Sequence, residues 1–385
     1  MRVLHFFKTS IPDSVGGVEQ VIDQIARGAA GFGVSTDVLS LGKQCIEQPF
    51  EVNGYNSYRA KVDFQLASTG FSRSAFGMFA RLAKQADLIH YHFPWPFMDL
   101  VHLASQTNKP SLVTYHSDII RQKHLLKLYR PLMHRFLGSV DHIVATSPNY
   151  LASSQVLDKY RDKVSVIPIG LDKASYPVPT PDKINYWRER LGDKFFLFVG
   201  VIRYYKGLHI LLEAARNTDF PIVIVGAGPI ELELRVQAAR LGLRNIRFLG
   251  RLPEEDKVAL LQLSYAVVFP SHLRSEAFGV SLLEGAMYGK PMISSEIGTG
   301  TTFVNSADET GLVVPADNPA ALRAAMEYLW NHPQHAAQLG RQAEQRYQQL
   351  FTAELMSERY VSLYRRLVDG DKQNAEVSAG SGLLV

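Results

Sequence analysis

Short runs of β-branched and aromatic residues alternate with helical patterns along the whole chain, and this alternation restricts the possible fold more than any other feature. Such continuous apolar runs predict strands buried on both faces. Their alternation with helices predicts parallel sheets wound in right-handed units. The predicted strands are 2–7, 35–41, 86–93, 110–116, 141–147 and 163–170 in the first half, and 195–200, 220–226, 245–250, 265–271, 290–295 and 310–315 in the second. We therefore expect an α/β protein with two doubly wound, Rossmann-like domains.

A segment with three prolines, 172–183, separates the two series and is typical of a linker. We expect an N-terminal domain over 1–172 and a C-terminal domain over 173–351. A helical pattern at about 352–370 is expected to return to the first domain. The last residues, 371–385, lack periodicity and are expected to form a flexible tail.

The charge and the cysteine content restrict the setting of the protein. The formal charge of +4 lies in residues 1–172, which contain 18 Lys and Arg against 14 Asp and Glu, and this favours an anionic partner there. The single cysteine, Cys45, excludes an internal disulfide and fits a reducing compartment. No apolar stretch reaches the roughly 18 residues of a membrane span, and the apolar run at the N-terminus is too short for a signal peptide.

Two basic residues follow the first strand of the second domain, in the stretch "FVGVIRYYKG". Ligands of open parallel sheets bind beyond the carboxyl ends of strands. Arg203 and Lys206 could therefore hold a diphosphate, although an ordinary solvated loop fits equally well. In the next strand–helix turn, Gly226 and Gly228 form part of a dinucleotide fingerprint, but the third glycine position is occupied by Glu231. That turn could simply allow close packing.

The first domain also carries candidate ligand-binding residues at strand ends. Gly16 and Gly17 lie between a predicted strand and helix, where a backbone can approach an anion or form a tight turn. His116 ends the strand 110–116, where either a functional or a structural histidine fits. His90 and His92 share one face of a strand and could line an acceptor pocket or pack between the domains, but no carboxylate or cysteine completes a metal site with them.

Two glutamates interrupt the apolar stretch "SEAFGVSLLEGAMYGKP". Glu276 falls in the loop after a predicted strand, and Glu284 falls one to two turns into the next helix. Because a helix start offers unpaired N–H groups, the amides near 277–280 could bind a diphosphate. The two carboxylates could then accept hydrogen bonds from sugar hydroxyls. A surface helix with two exposed acids fits poorly, because the other positions are so apolar.

These motifs together resemble the retaining glycosyltransferases of family 4. The family pattern of two glutamates eight positions apart, with Phe-Gly after the first, stands here from Glu276 to Glu284. The Gly16-Gly17 loop, "HSD" at His116, "IPIGLD" at 167–172 and "GVIRYYKG" at 200–207 occur in family order. The resemblance covers nearly the whole chain and implies the GT-B fold, in which two Rossmann-like domains face each other across a cleft.

The resemblance also implies a role for each matching residue. Arg203 and Lys206 would hold the donor diphosphate, and Glu284 the nucleotide ribose. The donor sugar would bind Glu276 and the amides that follow it, and His116 would lie near the sugar and the leaving group. The residues implied in donor binding besides these are Gly16, Gly17, Arg251, Leu252, Ala277, Phe278, Gly279 and Val280. The family requires no metal and no cofactor beyond the nucleotide-sugar substrate.

The segment 294–305, with Gly298-Thr-Gly-Thr-Thr, is similar to bacterial O-antigen and A-band common-antigen enzymes that use GDP-rhamnose or GDP-mannose. The implied acceptor is a lipid-linked oligosaccharide at the inner face of the cytoplasmic membrane, and no nucleic acid is implied. The segment 119–139 contains Arg121, Lys123 and Lys127 and no acidic residue. A basic amphipathic helix of this kind could lie on anionic lipid, or it could pack its leucines inward.

The sequence therefore predicts a cytoplasmic hexosyltransferase, peripheral on the membrane, that moves D-rhamnose or mannose from a GDP-sugar with retention of configuration. A nucleotide-sugar epimerase shares the two-domain architecture and is the alternative enzyme. A non-catalytic scaffold that binds sugar or lipid is the alternative outside enzymes, although the intact Arg203, Lys206, Glu276 and Glu284 argue against a degenerate site.

Overall fold

The computed structural model describes residues 1–14, 16–66, 69–119 and 123–380, with only the backbone described for 123–125 and 371–380. The chain divides into two compact units. The first comprises Met1–Thr146, Ser154–Gly170 and the final helix from Ala353, and the second comprises Ser147–Ser153 and Leu171–Thr352.

The first unit is built on one large sheet with helices connecting its strands. Its strands are β1 (Arg2–Phe6), β2 (Ser35–Gly42), β3 (Ile46–Val52), β4 (Tyr55–Lys61), β5 (Phe64–Leu66), β6 (Thr69–Phe71), β7 (Leu88–Phe93), β8 (Ser111–Tyr115), β9 (His142–Ala145) and β10 (Val164–Val166). Its first helices are α1 (Gly17–Ala30), α2 (Ser74–Gln85), α3 (Pro96–Ser105) and α4 (Lys123–Ser139). The sheet order is β10-β9-β8-β7-β1-β2-β4-β3, and β5 pairs separately with β6.

The parallel strand order confirms a doubly wound sheet, in which the direction of winding reverses between β1 and β7. Within this large sheet one strand departs from the expected pattern, since β3 is antiparallel to β4. No strand was predicted for β3 to β6, because their residues are too polar to form an apolar run. The turn that joins β3 to β4 contains Asn53 and Gly54, with φ of 47° and 88°. Asn-Gly is the preferred pair for a tight hairpin turn, and it was the one available signal.

The second unit is a six-stranded parallel sheet covered by helices. Its strands are β11 (Phe196–Val199), β12 (Ile222–Val225), β13 (Ile246–Gly250), β14 (Ala266–Phe269), β15 (Met292–Glu296) and β16 (Gly311–Pro315). Its helices are α5 (Pro148–Ser153), α6 (Pro181–Leu191), α7 (Leu208–Ala214), α8 (Glu231–Arg240), α9 (Glu254–Leu263), α10 (Val280–Met287), α11 (Thr301–Val304), α12 (Pro319–Asn331) and α13 (Pro333–Leu350). The strand order is β13-β12-β11-β14-β15-β16.

The strands of the second unit carry the predicted apolar runs into its core. Phe196, Phe198, Ile224 and Val268 are fully buried there. The winding reverses between β11 and β14, which pair directly. The loops that follow these two strands therefore lie side by side at the point where doubly wound sheets bind ligands.

The last helix, α14 (Ala353–Gly380), belongs to the first unit and packs against α1. A Cβ on Gly28 would lie 2.0 Å from Ser357 Oγ, so the glycine permits this approach. Residues 371–380, for which the sequence shows no helical periodicity, continue this helix, and their expected flexibility stays a prediction. Lys, Gln, Ala and Glu in this stretch are good helix formers, and extending an existing helix requires no new nucleus. Residues 381–385 lie outside the described part of the chain.

Among the described residues, the helices are all too short or too polar to cross a bilayer.

Candidate functional site

Lys206 and Glu276 form an ion pair at the winding reversal of the second unit. Lys206 ends a short 3-10 turn after β11, and Glu276 lies in the loop between β14 and α10. Each side chain is only 11% exposed. Ser271 donates a hydrogen bond to Glu276 Oε2 at 3.3 Å, and the Lys206 ammonium lies 4.7 Å from the centre of the Phe269 ring. The structure thus brings together two of the predicted site residues.

Backbone contacts hold the two loops together. Gly207 has a φ of 68°, and a Cβ at this position would lie 1.9 Å from the carbonyl oxygen of Pro270. The backbone N–H of His272 donates to the carbonyl of Tyr205 at 3.0 Å, and His272 Nε2 lies 3.1 Å from the carbonyl oxygen of Tyr204. The turn that carries Lys206 is therefore fixed against the loop that carries Glu276. Neither His272 nor Gly207 was predicted from the sequence as a support of the site.

The incomplete glycine fingerprint also has a positional role. A Cβ on Gly226 would lie 1.9 Å from the carbonyl oxygen of Gly200, and one on Gly228 would lie 2.1 Å from that of Ile202. These two glycines let the loop after β12 pack directly on the loop that carries Arg203. The Arg203 side chain is exposed, and the described residues include no acidic partner for it. Its charge is available to an anion.

The N-terminus of α10 supplies amides beside this pair. Gly279 precedes the helix with a φ of 91°, which favours glycine. The amides of Ala277, Phe278, Gly279 and Val280 donate to no acceptor among the described residues, as is usual at a helix start. They form a ready set of donors for an oxygen-rich ligand.

The segment that contains Gly298 and the threonines after it packs against the loop that carries these amides. The Gly300 amide donates to the carbonyl of Ala277 at 2.8 Å, and a Cβ on Gly300 would lie 2.8 Å from the Phe278 ring. Thr299 and Thr301 are buried. The segment that carries the sugar prediction therefore contacts the amide loop directly through Gly300.

Glu284 is a buried carboxylate with two partners on one oxygen. Lys257 Nζ lies 2.7 Å from Glu284 Oε1, and the Tyr176 hydroxyl donates to the same oxygen at 3.1 Å. Burial lowers the pKa of Lys257, but Glu284 and Glu254 outweigh it and raise that pKa to about 12. Burial and the Glu284 charge raise the pKa of Tyr176 well above its ordinary value. Glu284 Oε2 is bonded by no described residue and can accept a ligand hydroxyl.

Lys257 and Tyr176 are functional candidates that the sequence analysis missed. Lys257 stands among the acidic residues at the start of α9, and Tyr176 falls in the proline-rich linker. The available signal was the need of a buried carboxylate for a cation. It indicates that a partner exists, but it does not indicate which lysine.

Arg251 and Leu252 follow β13 at the edge of the sheet, directly after Gly250, whose φ is 70°. The Arg251 side chain is exposed and Leu252 is half-buried. They lie at the same carboxyl edge as the loops after β11, β12 and β14. This position suits a group at the far end of a nucleotide.

The first unit presents Gly16 and Gly17 at the start of α1, after β1. The buried carboxylate of Glu19 accepts hydrogen bonds from the hydroxyls of Thr9 and Ser14, both at 2.8 Å. A Cβ on Gly16 would lie 2.6 Å from Glu19 Oε2. The glycine thus allows the carboxylate to fold back onto the loop.

His116 directly follows β8 and lies against a group of buried histidines. His92 Nδ1 is 3.0 Å from His116 Nε2, and His5 Nδ1 is 2.9 Å from His92 Nε2. His90 instead bonds Thr114 and, on α14, Tyr364. Burial lowers the pKa of His116 and of His5 to about 3 in each case, and those of His90 and His92 well below the ordinary value. His90 and His92 are fully buried, so they pack inside the unit and do not line a pocket.

Two groups of side chains each place three possible metal-ligand atoms within 4.8 Å of one another. The first group is His5, His90 and His92, and the second is His209, His272 and Asp317. Both ring nitrogens of His90 are hydrogen-bonded. Both ring nitrogens of His272 are also engaged, with Asp317 and with the carbonyl of Tyr204. These rings act as hydrogen-bonding groups in the structure.

Several solved structures share this fold. A sucrose-phosphate synthase from Thermosynechococcus elongatus matches with a TM-score of 0.78 at 21% identity, over 96% of this chain and 99% of that chain. With the two doubly wound units and the site described above, this places the chain in the GT-B class of folds. The profile described as "Glycosyl transferases group 1" matches residues 180–346, and the one described as "Glycosyltransferase Family 4" matches residues 15–175.

Two curated relatives match almost the entire chain. The D-rhamnosyltransferase WbpZ of Pseudomonas aeruginosa is 64% identical over 353 residues, which are 92% of this chain and 93% of the relative. The O-antigen chain mannosyltransferase C of Escherichia coli is 49% identical over 369 residues, 96% of this chain and 99% of the relative. The chain belongs to glycosyltransferase family 4, and it is a glycosyltransferase, as the sequence predicted.

Proposed function

We propose that this enzyme transfers D-rhamnose or mannose from a GDP-sugar to a lipid-linked glycan during synthesis of a bacterial O-antigen, with retention of anomeric configuration. The observation that carries the proposal is the Lys206–Glu276 pair beside the open amides at the start of α10. The two relatives named above, a D-rhamnosyltransferase and an O-antigen mannosyltransferase, support the sugar and the pathway.

The charges of the second unit suit a nucleoside diphosphate. Lys206 and Glu276 neutralise each other, so Arg203 and the positive end of the α10 dipole supply the uncompensated charge. The diphosphate would lie between Arg203, Lys206 and the amides. Glu276 would accept hydrogen bonds from the sugar, and Glu284 Oε2 from the ribose. No metal ion is required by this arrangement, because the cations and amides neutralise the leaving group.

In the transfer step, the bond between the anomeric carbon and the diphosphate oxygen breaks while the acceptor oxygen bonds to the same face of that carbon. The proton of the acceptor hydroxyl passes to an oxygen of the departing diphosphate. Lys206 and Arg203 stabilise the negative charge that develops there. The protein then contributes mainly by positioning the substrates and stabilising charge.

We further propose that the acceptor is reached at the inner face of the cytoplasmic membrane, through α4 of the first unit. In this helix Lys127, Arg130 and Arg135 are exposed, and Leu128 is 81% exposed. These side chains suit anionic lipid headgroups. Arg121 lies outside the described residues, as does the side chain of Lys123.

The same helix turns other apolar residues inward. Met133 and Phe136 are buried in the first unit and are unavailable to lipid. The membrane proposal therefore depends on the basic side chains and Leu128. Co-sedimentation with vesicles of anionic and of neutral lipid tests it, with Lys127→Glu/Arg130→Glu as the variant. Binding that is equal for the variant and the wild type would remove α4 from the membrane surface.

The function is tested by incubating the purified enzyme with GDP-D-rhamnose, GDP-mannose, UDP-glucose or dTDP-rhamnose and a polyprenyl-diphosphate-linked glycan. We expect transfer from a GDP-sugar and a product with the anomeric configuration of the donor, measured by mass spectrometry and NMR. Inverted product would overturn the retaining mechanism, and transfer from UDP- or dTDP-sugars alone would overturn the donor. Conversion of the donor without acceptor would indicate an epimerase instead.

A further inference from the structure

Three histidines of the first unit form a continuous hydrogen-bonded row that ends at the candidate site residue. The row runs from His5 on β1 through His92 on β7 to His116 after β8, with nitrogen–nitrogen distances of 2.9 and 3.0 Å. His5 and His92 are fully buried, and His116 is 7% exposed. His5 Nε2, at the inner end, is buried without a hydrogen-bond partner. At the outer end, no described residue bonds His116 Nδ1, and this nitrogen is not among the fully buried unpartnered atoms.

A count of protons restricts the row to two arrangements. Burial depresses the pKa of all three rings, so each is neutral and carries one N–H. His92 must therefore donate to one neighbour and accept from the other. Either His116 presents Nδ1–H outward and His5 buries a bare Nε2, or His116 presents a bare Nδ1 and His5 buries an unpaired N–H.

The unpaired His5 Nε2 at the inner end favours the first arrangement. Unpaired buried N–H donors are rarer in proteins than under-satisfied acceptors. In this arrangement His5 Nδ1–H donates to His92 Nε2, and His92 Nδ1–H donates to His116 Nε2. His116 is left with its proton on the outer nitrogen.

We propose that His5 and His92 are positioning residues that fix His116 as a neutral Nδ1–H donor for a hydroxyl or phosphate oxygen of a bound substrate. The ligand class rests on the proposed function, whereas the tautomer does not depend on it. A neutral donor of this kind can bind the same oxygen before and after transfer without titrating near neutral pH.

The tautomer can be measured without substrate, which separates this proposal from the proposed function. Long-range 15N–1H spectra of the enzyme labelled with 15N-histidine distinguish a protonated from a bare ring nitrogen, and His116→Gln assigns the signals. We expect a protonated Nδ1 and a bare Nε2 at His116 in the wild type. A protonated Nε2 at His116 would overturn the proposal, whatever the activity.

Kinetics with matched variants test the positioning role. His5→Leu removes the donor at the inner end, and His5→Asn places an amide N–H near the position of Nδ1. His90→Leu is the control, because His90 is equally buried and its ring centre lies 4.3 Å from that of His92, but it bonds outside the row. We expect His5→Leu to lower kcat roughly 10-fold, as for other residues that orient a functional histidine, with His5→Asn recovering most of the rate.

The same variants can contradict the proposal. If His90→Leu lowers kcat as much as His5→Leu at equal folded fraction, the effect is one of packing and the positioning role is wrong. The role is also wrong if His5→Asn folds as stably as the wild type and remains as slow as His5→Leu. If His5→Leu does not fold, the comparison of His5→Asn with His90→Leu and the wild-type spectrum still decides.

Discussion

Lys257 Nζ lies 2.7 Å from Glu284 Oε1, on the oxygen that also accepts from Tyr176. Because both partners use Oε1, the other carboxylate oxygen is oriented and open to a ligand. Lys257 thus fixes the carboxylate that we assign to the ribose, although its place in the sequence lies outside the family motif.

Replacement of Lys257 should therefore weaken donor binding. In Lys257→Met, Glu284 loses its cation while still buried, and we expect a rise of roughly 10-fold in the KM for the sugar nucleotide with a smaller change in kcat. The unpaired carboxylate should also destabilise the fold by about 3 kcal/mol. Steady-state kinetics and urea unfolding measure the two effects. Lys183→Met is the control, since Lys183 pairs with Asp256, the neighbour of Lys257 on α9. An equal rise in KM for Lys183→Met would contradict the assignment of Glu284 to the ribose.

Glu276→Gln should reduce transfer by about 10²-fold or more, because an amide is a weaker acceptor for the sugar hydroxyls and leaves Lys206 without its anion. The variant should fold, since glutamine keeps the shape of the side chain. Initial rates at saturating donor measure the loss. Glu344→Gln, at an exposed ion pair with Lys173, should keep full activity. A fully active Glu276→Gln enzyme would remove this carboxylate from the mechanism.

Lys206→Ala should lower kcat by about 10²-fold, as expected for the loss of one group that stabilises the leaving charge. Arg203→Ala should act more on donor KM, because Arg203 is exposed and supplies the charge that attracts the diphosphate. Separate kcat and KM values for the two variants distinguish these roles. An unchanged kcat in Lys206→Ala would exclude Lys206 from the phosphate site.

Two glycines with nearly the same backbone angle provide a test of how the loops are held. Gly207 (φ 68°) packs against Pro270, whereas Gly242 (φ 67°) has open space around its missing Cβ. Gly242→Ala should cost about 1 kcal/mol from backbone strain and leave activity intact. Gly207→Ala should cost roughly 3 kcal/mol and greatly reduce activity, because the alanine forces the Lys206 turn away from Glu276. Equal behaviour of the two variants in thermal unfolding and activity would refute the contact.

Mildly acidic pH should already destabilise the first unit. The pKa values of His5 and His116 are lowered from 6.5 to about 3, so between these limits the unfolded chain binds protons that the folded chain does not. The contribution of these two rings to the free energy of unfolding is therefore complete above pH 6.5 and is lost as the pH falls toward 3. At pH 5 the loss is about 2 kcal/mol for each ring. Melting temperatures from pH 7.5 to 5 measure this. His90→Leu should show a shallower dependence, and a flat wild-type profile would contradict it.

The sequence was sufficient to predict the doubly wound sheets, because strands buried on both faces are continuous apolar runs. It failed for β3 to β6, whose apolar residues are interrupted by polar ones such as the adjacent Asn56 and Ser57 of β4. It also did not predict the helical continuation over residues 371–380, where a non-periodic sequence extends a helix that is already formed.

For the site, the motif residues Lys206, Glu276 and Glu284 were identifiable because each belongs to a fixed local spacing. Their supports were not. Lys257 reaches Glu284 from a different helix, and His5 reaches His116 through His92, so only the folded chain shows these contacts. Long-range partners of buried polar groups leave no spacing in the sequence.

The described path of the chain also bears on how such enzymes could be recombined. Leu171 and Thr352, where the main part of the second unit begins and ends, form a bridge with each other, and the Leu171 amide donates to the carbonyl of Phe351 at 2.9 Å. The second unit is thus an insertion whose two ends are adjacent. Residues 171–352 could be exchanged as one segment between family members at this joint, in order to transfer donor preference. The segment Ser147–Ser153 would have to be exchanged with it, because Ser153 contacts both Arg274 and Gly298.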